Sequence, residues 1–230
     1  RPDHSTEAHT VAFQIEDMSR GFFITFEGGE GCGKSTHIGM LCEYLQKRGY
    51  DVLRTREPGG PALSEKIREL LLFAKEGRQM TPRTEILLFE AARSQHVSQT
   101  IIPALESGKI VISDRYADST AAYQGAARSI AMGEVKMLNK FATGGLEADL
   151  TILLDIPEEE GLRRAAMRDC GKTDRMGSQE LNFYRDVRKA FLDMARENPE
   201  RFEVVSSDGP KEQTFEKIVR AVEQRLLKNV

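Results

Sequence analysis

The chain has 230 residues, with 33 Lys plus Arg against 36 Asp plus Glu and a formal net charge of −3, a length that suits one large domain. That balance excludes a nucleic-acid binder working through a broad basic face, and no apolar run reaches the roughly 18 residues a membrane helix needs. The three cysteines, Cys32, Cys42 and Cys170, form no CxxC pair, which points to a reducing compartment, taken as the cytoplasm, and to no disulfide framework.

Residues 1–19 are polar, lack an apolar signal core and begin with Arg1. They are expected to be a disordered or appended extension outside the fold, with Met18 as the candidate natural start and the folded domain over 20–230. Phe22–Glu27 is a short, β-prone apolar run ending in glycines and reads as a buried strand. Lys34–Arg48 carries Ile38, Leu41, Cys42 and Leu45 at helical spacing, and Gly49 stops it. Asp51–Thr55 is the next strand candidate, closed by Glu57-Pro58-Gly59-Gly60. Helices follow at Ser64–Phe73 and from Thr81-Pro82, the second with a threonine N-cap and proline at N1. Ile110–Ser113 and Leu150–Leu154, the latter after a Gly144-Gly145 turn, read as strands. Gln179–Arg196 and Lys211–Leu227 are amphipathic helices flanking a weaker strand at Phe202–Val205. Such alternation predicts an α/β fold, a central parallel sheet flanked by helices in one domain.

Between the first strand and first helix, Gly28-Gly29-Glu30-Gly31-Cys32-Gly33-Lys34-Ser35 fits G-x-x-x-x-G-K-S/T in the context that pattern requires. Glycines let backbone N–H groups turn inward around nucleotide phosphates, and the helix N-terminus adds its positive end. Lys34 would neutralise the β/γ oxygens, and the Ser35 hydroxyl suits Mg²⁺. The loop, residues 28–35 with Thr36, thus predicts ATP binding and a P-loop NTPase fold, but does not name the acceptor.

Four further segments carry a resemblance. The first is Thr55-Arg56-Glu57-Pro58-Gly59-Gly60, followed by Arg68. The second, Leu87-Leu88-Phe89-Glu90-Ala91-Ala92-Arg93-Ser94-Gln95-His96, sets Phe89 and Arg93 on one helix face, where a ring and a guanidinium can grip a pyrimidine. His96 reads as a structural polar contact. The third is Asp114-Arg115-Tyr116, then Asp118-Ser119-Thr120-Ala121-Ala122-Tyr123-Gln124-Gly125; Asp114 ends a strand at the ligand edge of such a sheet. The fourth is Gly161-Leu162-Arg163-Arg164-Ala165-Ala166-Met167-Arg168, then Asp174-Arg175, with Arg164 and Arg168 on one helix face.

Together with the phosphate loop these segments resemble the bacterial thymidylate kinases across nearly all of 21–230. The resemblance implies phosphoryl transfer from ATP to dTMP, with Mg²⁺, in a homodimer that binds neither nucleic acid nor membrane. It implies that dTMP meets Glu30, Arg56, Pro58, Arg68, Phe89, Arg93, Arg115, Ser119, Thr120, Tyr123 and Gln124. Arg115 would hold the acceptor phosphate, Thr120 and Gln124 would face the thymine edge, and Tyr123 would crowd a ribose 2′-OH. Asp114 would hold a metal-bound water beside Ser35, and Glu30 would orient the acceptor sugar or a neighbouring arginine. A mobile lid at about 161–177 would bring Arg164 and Arg168 to ATP and to the transferring phosphoryl, the catalytic set being Lys34, Arg115, Arg164, Arg168 and Glu30. One subclass of that family has a loop arginine at the position of Gly31; glycine there implies the lid-arginine subclass. The usual lid glutamate is Gly177 here, a departure from the pattern. A kinase for another nucleotide and a P-loop switch are the rivals, and the run at 114–125 argues against both.

Overall fold

The computed structural model describes residues 20–74, 79–169 and 180–227. Among them, β1 (Phe22–Glu27) is buried at all its residues, as a strand covered on both faces must be. It lies at the centre of a five-stranded parallel sheet with β2 (Val52–Arg56), β3 (Ile110–Asp114), β4 (Leu150–Asp155) and β5 (Phe202–Ser206), in the order β2-β3-β1-β4-β5. The chain steps outward from β1 to β2, returns to place β3 beside β1, then crosses to the other side for β4. The strand order reverses at β1, so the carboxyl ends of β1 and β3 frame the crevice where ligands of open α/β sheets bind.

Alternation along β1 sends Phe22, Ile24 and Phe26 to one face and Phe23, Thr25 and Glu27 to the other. The first set packs with Ile38, Leu41 and Leu45 of α1 (Lys34–Lys47) and Ile218 and Val222 of α9 (Lys211–Leu226). On the other face Phe23 meets Val97, Ile101, Leu105 and Tyr116. Farther along, Leu153 packs with Val187 and Phe191 of α8 (Leu181–Glu197). The expected strands and helices are present with ends shifted by a residue or two. Parallel pairing sets those ends: Asp114 stands opposite both Phe26 and Arg56, which carries β2 and β3 one residue beyond the apolar runs.

α2 spans Ala62–Leu72. α3 (Pro82–His96) starts as expected, with Thr84 N–H donating to Thr81 Oγ1 and Pro82 in the first turn. It then continues through a wider π-type turn at Val97–Ile101 into α4 (Ile102–Glu106). Pro103 has no N–H to donate within this continuous helix, and a widened turn accommodates such a gap. A second π-type turn, Ala121–Ala126, extends α5 (Ala117–Thr120) and carries Tyr123 and Gln124. Two helices were absent from the chain-order reading as elements: α6 (Met132–Thr143), ended by Gly144 at φ 62, and α7 (Glu158–Asp169), where the lid was expected. Asp174, Arg175, Gly177 and the start of the expected helix at Gln179 lie outside the described residues.

Candidate active site

The β1–α1 loop turns on glycines with positive φ at Gly28, Gly31 and Gly33. Lys34 Nζ donates to the carbonyls of Gly28 and Gly29, each at 3.0 Å, and lies 3.4 Å from Cys32 Sγ. Its charge is thus held at the loop by weak, exchangeable partners. At the loop's far side the Ser35 hydroxyl donates to Asp114 Oδ2 at 3.1 Å. A hydroxyl and a carboxylate beside a phosphate loop are the oxygen donors a Mg²⁺ ion uses when phosphates and water complete its shell. Among the described residues no cluster of three His, Cys, Asp or Glu offers an all-protein metal cage.

Gly31 lies against the backbone of α7. A Cβ at Gly31 would stand 1.9 Å from the Gly161 carbonyl oxygen, and one at Gly161 would stand 2.4 Å from that of Glu30. Both glycines are needed for this backbone approach. On α7, Arg164 and Arg168 line the same cavity as the loop. Arg164 donates to Glu160 Oε1 at 2.7 Å and to the Ser207 carbonyl at 2.9 Å. Arg163 instead pairs outside with Glu160 Oε2 at 2.7 Å. Hydrogen bonds from Arg163 and Arg164 pull the Glu160 carboxyl down to about 2.

Arg115 follows β3 with φ 71, a conformation that costs a side-chain-bearing residue roughly 1–2 kcal/mol and persists only where neighbours enforce it. Here Arg115 N–H donates to Phe26 O, Ser113 Oγ donates to Arg115 O, and Tyr116 N–H donates to Glu27 Oε1. The guanidinium is then fixed by Glu30 Oε1 at 2.8 Å, by Gly28 O and Ser119 Oγ at 3.2 Å each, and over the Tyr123 ring at 4.9 Å. Glu27, on the face that β1 alternation assigns it, also accepts from Ser119 Oγ at 2.6 Å. Burial, with the nearby Asp118 charge, pushes its carboxyl up to about 7, against the pull of Arg115.

The folded state therefore binds this proton more tightly than the unfolded chain. Its stabilising contribution is full below the ordinary value of 4.5 and is lost as pH rises through about 7. Melting temperature followed across that window should fall less steeply in Glu27→Gln than in the wild type; equal slopes would mean Glu27 takes up no proton there.

Opposite the phosphate loop, Arg93 is only 2% exposed. Its Nε donates to Glu57 Oε2 at 2.8 Å, and its Nη1 reaches Glu90 Oε1 at 2.6 Å, Thr120 Oγ1 at 2.9 Å and Asn139 Oδ1 at 2.8 Å. Nη2 gives one hydrogen to Tyr116 O at 3.1 Å. Burial alone would lower the Arg93 pKa, but the charges of Glu57 and Glu90 hold it above its usual value. His96 has the structural role expected of it, between Glu57 Oε1 at 3.0 Å and Thr55 Oγ1 at 2.7 Å. Among the described residues the buried Tyr123 hydroxyl has no well-formed hydrogen-bond partner.

These parts enclose one cavity of about 460 Å³, with the phosphate loop at one end and Phe89, Arg93, Thr120 and Gln124 at the other. A family model described as thymidylate kinase matches residues 26–218. The chain belongs to the thymidylate kinase family. As a member it is a phosphotransferase that converts dTMP to dTDP. The thymidylate kinase of Pelobacter propionicus is 48% identical over 213 residues, covering 91% of this chain and 97% of that protein. That of Bacillus pumilus is 41% identical over 209 residues, with 91% and 98% covered. The crystal structure of thymidylate kinase from Ehrlichia chaffeensis matches with a TM-score of 0.71 at 32% identity, covering 88% of this chain and 98% of that one.

Of the residues the family resemblance singled out, Glu30, Cys32, Ser35, Thr36, Pro58, Arg68, Ser119 and Tyr123 also line this thymidylate kinase cavity, with Gly31, Gly33, Lys34, Asp114 and Arg115. Gly28 and Gly29 sit behind it and turn their carbonyls to Lys34. Arg56 is not among the lining residues: it is exposed and paired with Glu65 at 2.9 Å. Arg68 Nη1 donates to Pro58 O at 2.8 Å and so braces the turn after β2. Glu57 and Leu72 line the cavity without having been singled out. Glu57 had a usable signal, a carboxylate in a run already quoted; Leu72 had none beyond helical spacing.

Proposed function

We propose that the protein transfers the γ-phosphoryl of ATP in line to the phosphate of dTMP, with Mg²⁺, using the lid-arginine arrangement. The observation that supports this most is the shared cavity, lined by the phosphate loop with Lys34, by Arg115, Arg164 and Arg168, and by Phe89, Arg93, Thr120 and Gln124. The acceptor phosphate is already a charged nucleophile, so the chain's task is positioning and charge stabilisation. Lys34 would exchange the Gly28 and Gly29 carbonyls for phosphate oxygens, and Arg115, preset by Glu30, would hold the acceptor phosphate. A Mg²⁺ held by Ser35 and, through water, by Asp114 would neutralise phosphate charge. Phe89 would stack on the base, with Arg93, Thr120 and Gln124 along its edge.

One coupled assay of ADP release with dTMP, dUMP, UMP and CMP tests the reading. dTMP should exceed dUMP by roughly 10- to 200-fold in kcat/KM, because a methyl in an apolar pocket is worth about 1–3 kcal/mol. UMP should fare worse, with Tyr123 crowding the 2′-OH. Equal kcat/KM for dTMP and UMP would remove the assignment of the pocket. Arg164→Ala and Arg168→Ala should each lower kcat by at least about 10²-fold with smaller effects on dTMP affinity, whereas Arg163→Ala should be tolerated. Near-normal kcat in both cavity-lining variants would make the lid a cover only.

A homodimer suits the surface: α3 packs between α2 and α6, and Leu63, Leu70, Leu87, Met137 and Phe141 (86% exposed) stand out from these three helices. An apolar face of that kind is usual where subunits meet. Cys32 and Cys42 are free thiols, in keeping with a reducing cytoplasm.

A further inference from the structure

We infer that Glu85, which does not line the cavity, is a positioning residue that sets the enzyme's choice between thymine and cytosine by fixing the side-chain amide of Gln124. The inference rests on the dTMP reading and deepens it. Gln124 lies on the π-type turn, 2% exposed, and its Nε2 donates at 2.8 Å to Glu85 Oε1, itself on a 2%-exposed residue of α3. Arg128 Nε stands 3.5 Å from the same oxygen, supplying the opposite charge. An ionised carboxylate only accepts hydrogen bonds, so the amide must turn its NH₂ toward Glu85. The Gln124 Oε1 is left without a protein partner among the described residues, on a side chain that lines the cavity.

A carbonyl so placed accepts from the N3–H of a pyrimidine-2,4-dione. Among the described residues one Arg93 Nη2 hydrogen has no acceptor beyond the bond to Tyr116 O, and it suits the neighbouring O4. Cytosine reverses both partners: its N3 is an acceptor and its N4 amino group a donor. Glu85 enforces the mismatch with cytosine by preventing the amide from turning over. A neutral glutamine at position 85 can offer either end of its own amide and so releases Gln124.

The test is kcat/KM for dTMP and dCMP in wild type, Glu85→Gln and Glu85→Asp, with the KM for ATP and the melting temperature as controls. Sites that hydrogen-bond a substrate reject the mismatched analogue by about 10⁴–10⁵. The dTMP-to-dCMP ratio should therefore drop by at least about tenfold in Glu85→Gln, and partly in Glu85→Asp, whose carboxylate is withdrawn by one methylene, while the KM for ATP stays put. Should Glu85→Gln not fold, the ratio in Glu85→Asp decides alone. An unchanged ratio in the folded variants, with dTMP and dCMP falling together or not at all, overturns the role of Glu85 and leaves the parent reading standing. A wild type that does not phosphorylate dTMP overturns the parent reading and this inference with it.

Discussion

Lys34→Ala should lower kcat by about 10³-fold, while the protein stays folded and still binds dTMP. The ammonium belongs to a loop whose remaining phosphate donors are backbone N–H groups, and the charge that develops on the transferring phosphoryl has few cations within reach. Loss of one preorganised donor at such a point costs about 10²–10³ in rate, and the P-loop lysine carries a full charge besides. Stability should suffer little. Among the described residues Lys34 bonds to the carbonyls of Gly28 and Gly29 and to a thiol, and Gly28 O keeps Arg115 as a donor. Two such bonds are worth about 3–6 kcal/mol before the relief of freeing a buried charge offsets most of it. Single-turnover kinetics with a melting curve separate the two effects. A kcat within tenfold of wild type would place the phosphate grip in the backbone and Arg115.

Arg93→Ala should do the opposite, damaging the fold as well as the substrate site. A view of Arg93 as a base-recognition side chain alone predicts a raised KM for dTMP and nothing more. Its surroundings say otherwise: Glu57 and Glu90 are both buried and both paired with it. Burial already pushes the Glu90 carboxyl up, and Arg93 is what opposes it. Removing one member of such a cluster costs about 3–5 kcal/mol because the charges left behind have no water. Denaturant unfolding should report a loss of that size, and whatever protein remains folded should show a raised dTMP KM with an unchanged ATP KM. Combining Arg93→Met with Glu90→Gln should recover part of the stability and none of the dTMP affinity. Full stability in Arg93→Ala would mean that the two carboxyls take up protons at little cost.

The contrast between these two residues shows what sequence can express. The phosphate loop is local: eight consecutive residues between a strand and a helix define its backbone, so motif and geometry coincide. β1, β3 and β4 were equally legible, because a strand buried on both faces must be continuously apolar. The partners of the pocket's supporting carboxylates were not legible, even for Glu57, which stands in a run already quoted. Glu27 meets Ser119 across 92 positions, Glu57 meets Arg93 across 36, and Glu85 meets Gln124 across 39. Each reads locally as an ordinary charge in a strand, turn or helix, and only the parallel crossover order brings the partners together. α6 went unread as a helix for a different reason: Met137 and Phe141 stand on its exposed side and blur the apolar period. The unbroken passage from α3 to α4 was hidden because Pro103 locally argues for a stop.

The contact between Gly31 and Gly161 fixes what position 31 can hold. With α7 seated as it is, a side chain of any kind at position 31 would run into its backbone. A loop arginine could enter only if α7 withdrew, and Arg164 and Arg168 would withdraw with it. A side chain at position 31 and the present seat of α7 are therefore incompatible. Two missing side chains, one on each element, thus let the phosphate loop and α7 meet backbone to backbone.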